Sequence, residues 1–125
     1  MSIAYWCVLV AAILPYPIVV LAKAGQKMDN HAPREQLAQA HGYRKRANWA
    51  QLNAFEAFPA FAAAVIIAHL QLVPQATVDT LALTFVAMRV LHALFYVLDK
   101  ASLRSLVWAV GFGCVITLFV LAGTR

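Results

Sequence analysis

The chain has 125 residues, of which 63% are hydrophobic and 12% are charged, against about half and about a quarter in ordinary soluble proteins. This composition excludes a soluble domain, a disordered chain and a disulfide scaffold, and it predicts one membrane domain over residues 1–125. The net charge of +5 does not indicate nucleic-acid binding, because most basic residues flank apolar segments, where they set orientation and contact anionic headgroups.

The first predicted element is a membrane-spanning helix over residues 3–22, which include a stretch of 20 residues without a charge. That is the length needed to cross about 30 Å of hydrocarbon. Pro15 and Pro17 predict a kink within it. A cleaved signal peptide is the alternative, but the chain lacks a basic segment before the apolar stretch, and the stretch is long for a signal.

A basic segment over residues 23–46 follows, and it holds 8 of the 15 charged residues. We expect it to be a flexible, solvated loop. A short amphipathic helix lying at the headgroups, with Leu37, Ala40 and Tyr43 on its apolar face, is the alternative.

Three further spanning helices are predicted over residues 47–73, 78–98 and 104–124, with Pro74 and Asp99 marking the turns between them. Short turns favour an up-down four-helix bundle, which makes the fold all-α. Lysine and arginine are concentrated in the first and third loops. The positive-inside rule therefore places both loops in the cytoplasm and both termini on the opposite side of the membrane.

Two charged residues, Glu56 and Arg89, lie well inside apolar stretches. Each is ten residues from a charged residue at the cytoplasmic end of its span, which is about 15 Å along a helix, so the two can meet at one level. An ionisable side chain at that depth costs roughly a few kcal/mol unless it is paired or hydrated. One explanation is a structural ion pair between the helices, and the other, which we favour, is a polar ligand bound between them.

Helical spacing groups further polar residues around this pair, because residues three, four and seven apart share one face of a helix. The set comprises Arg46, Asn53 and Glu56 on the second span, Arg89, His92 and Tyr96 on the third, and Arg104 and Ser105 at the start of the fourth. Cations, a carboxylate, an amide, a phenol and a hydroxyl together suit a small anionic or zwitterionic ligand. Cys7 and Cys114 stand apart in apolar stretches, so neither a disulfide nor a metal site is predicted.

The three tryptophans, Trp6, Trp49 and Trp108, are interpreted as residues of the interfacial aromatic belt. For Trp49, a position at the edge of the polar group is the alternative.

These residues resemble the MAPEG family, the membrane-associated proteins in eicosanoid and glutathione metabolism. The resemblance rests on Asn-x-x-Glu-x-x-Pro at 53–59, on Arg-x-x-His-x-x-x-Tyr at 89–96 and on the Arg-Ser pair at 104–105. The chain looks like a bacterial-type member similar to the microsomal glutathione transferase and prostaglandin E synthase branches. It departs from many members at Trp49, where they have an arginine.

The resemblance implies a homotrimer in which glutathione, as a bound co-substrate, lies between adjacent subunits near the cytoplasmic face. It implies a glutathione transferase or peroxidase, which activates the thiolate for transfer to, or reduction of, a lipophilic electrophile or hydroperoxide. Arg104 and Ser105 are then the catalytic candidates. The predicted glutathione contacts are Asn53, Glu56, Arg89 and Tyr96, and Arg46 and His92 complete the set. The expected location is a bacterial inner membrane, where membrane lipid surrounds the protein.

Two other functions stay open at this point. One is a non-catalytic lipid-binding or scaffold protein of the same fold. The other is a small multidrug transporter, which also has four helices and about this length. Such transporters rely on a carboxylate in the first membrane helix, and the first span here has none.

Overall fold

The computed structural model describes residues 1–125, which form six helices and four membrane-spanning elements. The helices are α1 (Ile3–Ile13), α2 (Pro15–Lys23), α3 (Pro33–Ala38), α4 (Gly42–Leu70), α5 (Gln75–Val97) and α6 (Ala101–Gly123). The first span consists of α1 and α2, and α4, α5 and α6 are the other three. Each span is long and apolar enough to cross a membrane. The predicted all-α membrane four-helix bundle is confirmed.

The first span is interrupted at Leu14, between α1 and α2. Pro15 and Pro17 have no backbone N–H, so two carbonyls one turn earlier lose their helical partners. Leu14 nevertheless keeps helical dihedral angles (φ −49°, ψ −40°). Its N–H still donates to the carbonyl of Val10 at 2.9 Å. The two segments therefore remain one span with a local break where the prolines predict it.

The start of α1 is capped by a side chain from α5. Asp79 Oδ1 accepts a hydrogen bond from the N–H of Ala4 at 2.9 Å, and Ser2 Oγ accepts one from the N–H of Tyr5 at 3.1 Å. Gln75 Nε2 donates to the same Asp79 oxygen at 2.7 Å. A carboxylate here also interacts favourably with the helix dipole. No local pattern marks Asp79 for this role, because Ala4 is 75 residues away in sequence.

The α4–α5 and α5–α6 turns close in the same way. Leu72 (φ 59°) and Asp99 (φ 61°) adopt the left-handed conformation. The N–H of the residue after each then donates to the carbonyl five residues earlier, at 3.1 Å in the first turn and 2.8 Å in the second. This is the Schellman closure of a helix C-terminus. Backbone hydrogen bonds thus fix both turns, and α5 runs antiparallel to both α4 and α6.

Two apolar clusters form the core. The first draws on α1, α4, α5 and α6, and the stacked rings of Phe61 and Phe85, with centroids 4.0 Å apart, lie within it. The second lies among α2, α3 and α4 and consists of Ile18, Ala22, Leu37, Ala47, Ala50 and Ala54. We call the end of the bundle that holds α3, the start of α4 and the α5–α6 turn the basic end.

The segment over residues 23–46 is not wholly the loop that we expected, although Leu37 is its only buried residue. It contains α3, which buries Leu37 to 4% exposure in the second cluster. Gln36 ties α3 to the preceding residues, since its Oε1 accepts from the N–H of Asp29 at 2.7 Å and its Nε2 donates to the carbonyl of Lys27 at 2.9 Å. The alternative of a short amphipathic helix is closer to the structure, but of its three named residues only Leu37 lies in α3, and Leu37 packs in the second cluster.

Two helix starts also differ from the prediction. The second span begins at Gly42 and not at residue 47, so the basic residues before Ala47 form its first turns. The fourth begins at Ala101 and not at residue 104, which places Arg104 and Ser105 within its first two turns. Both differences extend helices into charged sequence, where apolar periodicity gives no signal.

Candidate functional site

Asn53 and Arg89 form the central contact between the polar faces of α4 and α5. Arg89 Nη2 donates to Asn53 Oδ1 at 2.7 Å, and Arg89 is only 5% exposed. A hydrogen bond to a charged group is stronger than a neutral one, and it matters most where water is excluded. This contact provides the guanidinium with an acceptor deep in the bundle.

Within the single subunit, Arg89 does not form the structural ion pair with Glu56 that we considered. Its acceptor is the Asn53 amide, and Glu56 is exposed on the surface of the subunit. Both Glu56 and Arg89 still line one cavity of about 200 Å³, together with apolar residues of α4, α5 and α6. A neutral acceptor avoids the cost of burying a second charge next to the guanidinium.

A second cavity, of about 250 Å³, opens at the basic end and collects most of the predicted site. Its lining residues are Asn53, His92, Tyr96, Arg104, Ser105 and Trp108. The Arg104 guanidinium lies 4.4 Å from the centre of the Tyr96 ring, in a cation–π contact. The same Tyr96 ring meets His92 edge to face, with centroids 5.5 Å apart. Five predicted residues from three helices therefore surround one space.

His92 has an unused polar atom. The side chain is 3% exposed, and its Nδ1 is buried without a hydrogen-bond partner in the subunit. A buried polar atom left without a partner costs about 1–3 kcal/mol. The His92 side chain also contributes to the lining of the 250 Å³ cavity, although this nitrogen itself is buried.

Arg46 lies outside this cavity. Its Nε donates to the carbonyl of Val97 at 3.0 Å, which ties the start of α4 to the end of α5. The structure therefore gives Arg46 a structural contact, and its predicted contact with glutathione stays a prediction. Helical spacing alone placed Arg46 on the face of Asn53 but could not show which backbone group of another helix would meet it.

A third cavity, of about 350 Å³, adjoins the second and is lined by Trp49, Leu52, Asn53, Glu56 and Tyr96. The rings of Trp49 and Tyr96 are 6.3 Å apart. Trp49 is 44% exposed and lies beside this cavity. The alternative interpretation, in which Trp49 edges the polar group, therefore fits better than an isolated belt residue.

Trp108 is a residue of the site that the sequence reasoning missed. It lines both the 200 Å³ cavity beside Arg89 and the 250 Å³ cavity beside Arg104. Its ring stacks on Phe112, with centroids 5.2 Å apart. The signal was present, because Ser105 and Trp108 are three residues apart and Phe112 is four further on, which places all three on one face of α6.

On the other side of α4, a cavity of about 440 Å³ lies between α2, α3 and α4. Its walls include Tyr16 and Phe55, whose rings meet edge to face at 5.6 Å. Lys23 and Arg34 also line it. This cavity combines apolar walls with two cations, and it shares no lining residue with the cavity around Arg104.

Comparison with known families gives one match. Residues 3–124 match the model of the MAPEG family. No curated protein and no solved structure matches the chain.

Proposed function

Because this protein belongs to the MAPEG family, an integral membrane family concerned with glutathione or eicosanoid metabolism, we propose that it is a glutathione-dependent enzyme. It activates the glutathione thiolate for transfer to, or reduction of, a lipophilic electrophile or hydroperoxide. The observation that carries this proposal is the 250 Å³ cavity in which Arg104 and Ser105 lie beside Asn53, His92 and Tyr96.

The chemistry of the residues fits the proposed co-substrate. Glutathione carries two carboxylates, an ammonium group and a thiol, so its site needs cations, acceptors and a group that favours the thiolate. Arg89 and Arg104 are the cations, and the Glu56 carboxylate is an acceptor for the ammonium group. The imidazole of His92, which lines the same cavity, adds a further hydrogen-bonding group.

Arg104 is the residue that we assign to thiol activation. When bound, glutathione supplies the nucleophilic thiol, whose unperturbed pKa is about 8.5. A guanidinium close to the sulfur favours the thiolate, and the N-terminal end of α6 adds partial positive charge. The contact with the Tyr96 ring holds the Arg104 guanidinium in place. The hydroxyl of Ser105, the next residue, is the second donor to the sulfur.

The lipophilic substrate enters from the membrane. The 200 Å³ cavity shares Asn53 and Trp108 with the cavity around Arg104, so the two adjoin. Phe85, Phe112 and apolar neighbours provide most of its remaining wall. An apolar electrophile lying against these rings would have its reactive atom close to the polar cavity.

We further propose that the protein works as a homotrimer in a bacterial inner membrane, with the basic end in the cytoplasm. Glu56 and Trp49 are exposed on the single subunit, yet Glu56 lies within a membrane span. A carboxylate facing lipid is costly, and a neighbouring subunit would cover it. The 440 Å³ cavity with Lys23 and Arg34 is the surface that we assign to the neighbour's side of the site.

Replacement of Arg104 tests the proposal directly. We expect Arg104→Ala to lower the thiolate absorbance formed on mixing with glutathione by about tenfold or more, because losing one unit of pKa depression reduces the thiolate fraction tenfold. Turnover with a model electrophile should fall in parallel. Arg104→Lys, which keeps the charge, should retain part of both signals.

Lys100→Ala is the matched control, because Lys100 is an exposed cation one turn before Arg104. Its thiolate signal should equal that of the wild type. An undiminished signal in Arg104→Ala would remove Arg104 from the mechanism. A wild-type protein that binds glutathione without thiolate formation or turnover would favour the non-catalytic alternative.

A further inference from the structure

Three consecutive basic residues near the start of α4 have different partners. Arg44 Nε donates to a backbone carbonyl of the preceding loop at 2.7 Å, and Arg46 Nε donates to the carbonyl of Val97 at 3.0 Å. These two guanidinium groups hold α4 to neighbouring backbone. The Lys45 ammonium lies instead 5.1 Å from the centre of the Trp49 ring.

The Trp49 ring positions this ammonium without neutralising it. Lys45 and Trp49 are four residues apart on α4, so their side chains meet on one face of the helix. A ring face attracts a cation through its quadrupole. An ammonium group has three N–H donors, and these remain available to an anion. Lys45 is therefore a charge with a defined place and unused hydrogen-bonding capacity.

The ring that this charge contacts, Trp49, forms part of the wall of the 350 Å³ cavity. The other lining residues are Leu52, Asn53, Glu56 and Tyr96, so the lining itself contains no lysine or arginine. An anionic group that enters this cavity has to find its cation at the rim. Lys45 is a cation in contact with one wall residue of this cavity, Trp49.

We propose that Lys45, held in place by Trp49, binds one of the two free carboxylates of glutathione at the rim of this cavity. The inference rests on the proposed function. It adds a residue that binds glutathione at the end away from the thiol, which lies at Arg104. The 350 Å³ and 250 Å³ cavities adjoin, because Asn53 and Tyr96 line both. One ligand can therefore extend from the first cavity into the second.

Calorimetry on the purified full chain in detergent tests the contact with three probes. They are glutathione, its glycine monoethyl ester and the analogue whose γ-glutamyl α-carboxylate is an amide. We expect Lys45→Met to bind glutathione about tenfold more weakly than the wild type, as for loss of a charge-assisted hydrogen bond. One blocked analogue should bind the wild type more weakly by a similar factor, and it should bind wild type and Lys45→Met equally.

Equal affinity of wild type and Lys45→Met for that blocked analogue is the decisive result. It shows that Lys45 and the blocked carboxylate are energetically coupled. A general effect on folding would weaken all three probes together. Lys45→Arg keeps a cation at the end of a long side chain and should retain most of the affinity for glutathione.

Trp49 is the positioning residue in this arrangement. Trp49→Leu should weaken glutathione binding, and Trp49→Phe, which keeps a ring face, should recover part of the loss. Trp49→Arg in the Lys45→Met background should restore binding, because it returns a cation to the cavity wall. If Trp49→Phe and the added arginine both recover glutathione binding, Trp49 acts by positioning a cation. A role of Trp49 in packing alone would predict no such recovery.

Lys100→Met, which removes an exposed lysine at the same end of the bundle, should bind as the wild type does. Equal affinity of Lys45→Met and wild type for glutathione would overturn the inference and leave the proposed function standing. Equal affinity of the wild type for glutathione and both blocked analogues would overturn it without any mutation. A wild type that binds none of the probes would overturn the proposed function as well.

Discussion

At the scale of single residues, the contact between Arg89 and Asn53 shows how a charge is accommodated inside the bundle. The guanidinium is 5% exposed and donates to one amide oxygen at 2.7 Å. It gains an acceptor from another helix without burying a carboxylate. Glu56 thereby stays free to take part in binding at the surface of the subunit.

Removal of this acceptor should destabilise the fold. We expect Asn53→Ala to lower the free energy of unfolding by about 2 kcal/mol, since it leaves a buried charged donor without its partner. Thermal unfolding of the purified protein in detergent measures the change. Asn53→Asp keeps an acceptor beside Arg89 and should stay close to the wild type. An unchanged midpoint in Asn53→Ala would show that water or another group replaces the amide.

The residue predictions succeeded where they depended on spacing within one helix and failed where they depended on contacts between helices. Helical spacing placed Asn53, Arg89 and Tyr96 on the correct faces, because spacing along one helix is fixed by the sequence. It could not predict that Arg46 would meet the carbonyl of Val97, since that contact depends on how two helices rotate against each other. It missed Trp108 because tryptophan near a span end is equally typical of the interfacial belt.

At the scale of helices, α1 and α3 are each stabilised by a few contacts with residues of other helices. The first turn of α1 is capped by Asp79 from α5. The short α3 is held by one buried leucine, Leu37. Apolar periodicity predicts the long spans well, including the start of the first span at residue 3, but it gives no signal for the tertiary cap of α1 or for the bounds of α3.

Loss of the Asp79 cap should loosen the start of the first span. We expect Asp79→Ala to cost about 1 kcal/mol, as for other helix N-caps, and to speed hydrogen exchange of the first amides of α1. Asp79→Asn keeps an oxygen acceptor and should show a smaller effect. Thr80→Ala, at the next, exposed position of α5, is the control. Exchange rates that do not differ among the three variants would contradict the capping role.

At the scale of the whole molecule, composition alone predicts most of the architecture. Four apolar stretches, the last three of them separated by short turns, predict an all-α membrane bundle, and the structure has four such spans. What composition cannot predict is what lies against Glu56, which in the proposed trimer is a second copy of the chain. The single subunit leaves this carboxylate exposed within a span.

Native mass spectrometry of the detergent-solubilised protein tests the proposed assembly. We expect a trimer for the wild type, and for Glu56→Ala either a smaller trimeric fraction or a weaker affinity for glutathione, of about tenfold. Glu35→Ala removes an exposed carboxylate of α3 and should change neither quantity. A fully trimeric Glu56→Ala protein with wild-type affinity would show that Glu56 serves neither purpose.

The two apolar clusters also suggest an order of events during synthesis. Every member of the second cluster comes from residues 18–54, so it can assemble when only the first two spans have emerged. The first cluster extends from Ala4 to Ala122 and is complete only after the last helix has been made. Since chains fold from the N-terminal side as they are synthesised, we expect α2, α3 and the start of α4 to dock first and to provide the surface against which the later helices pack.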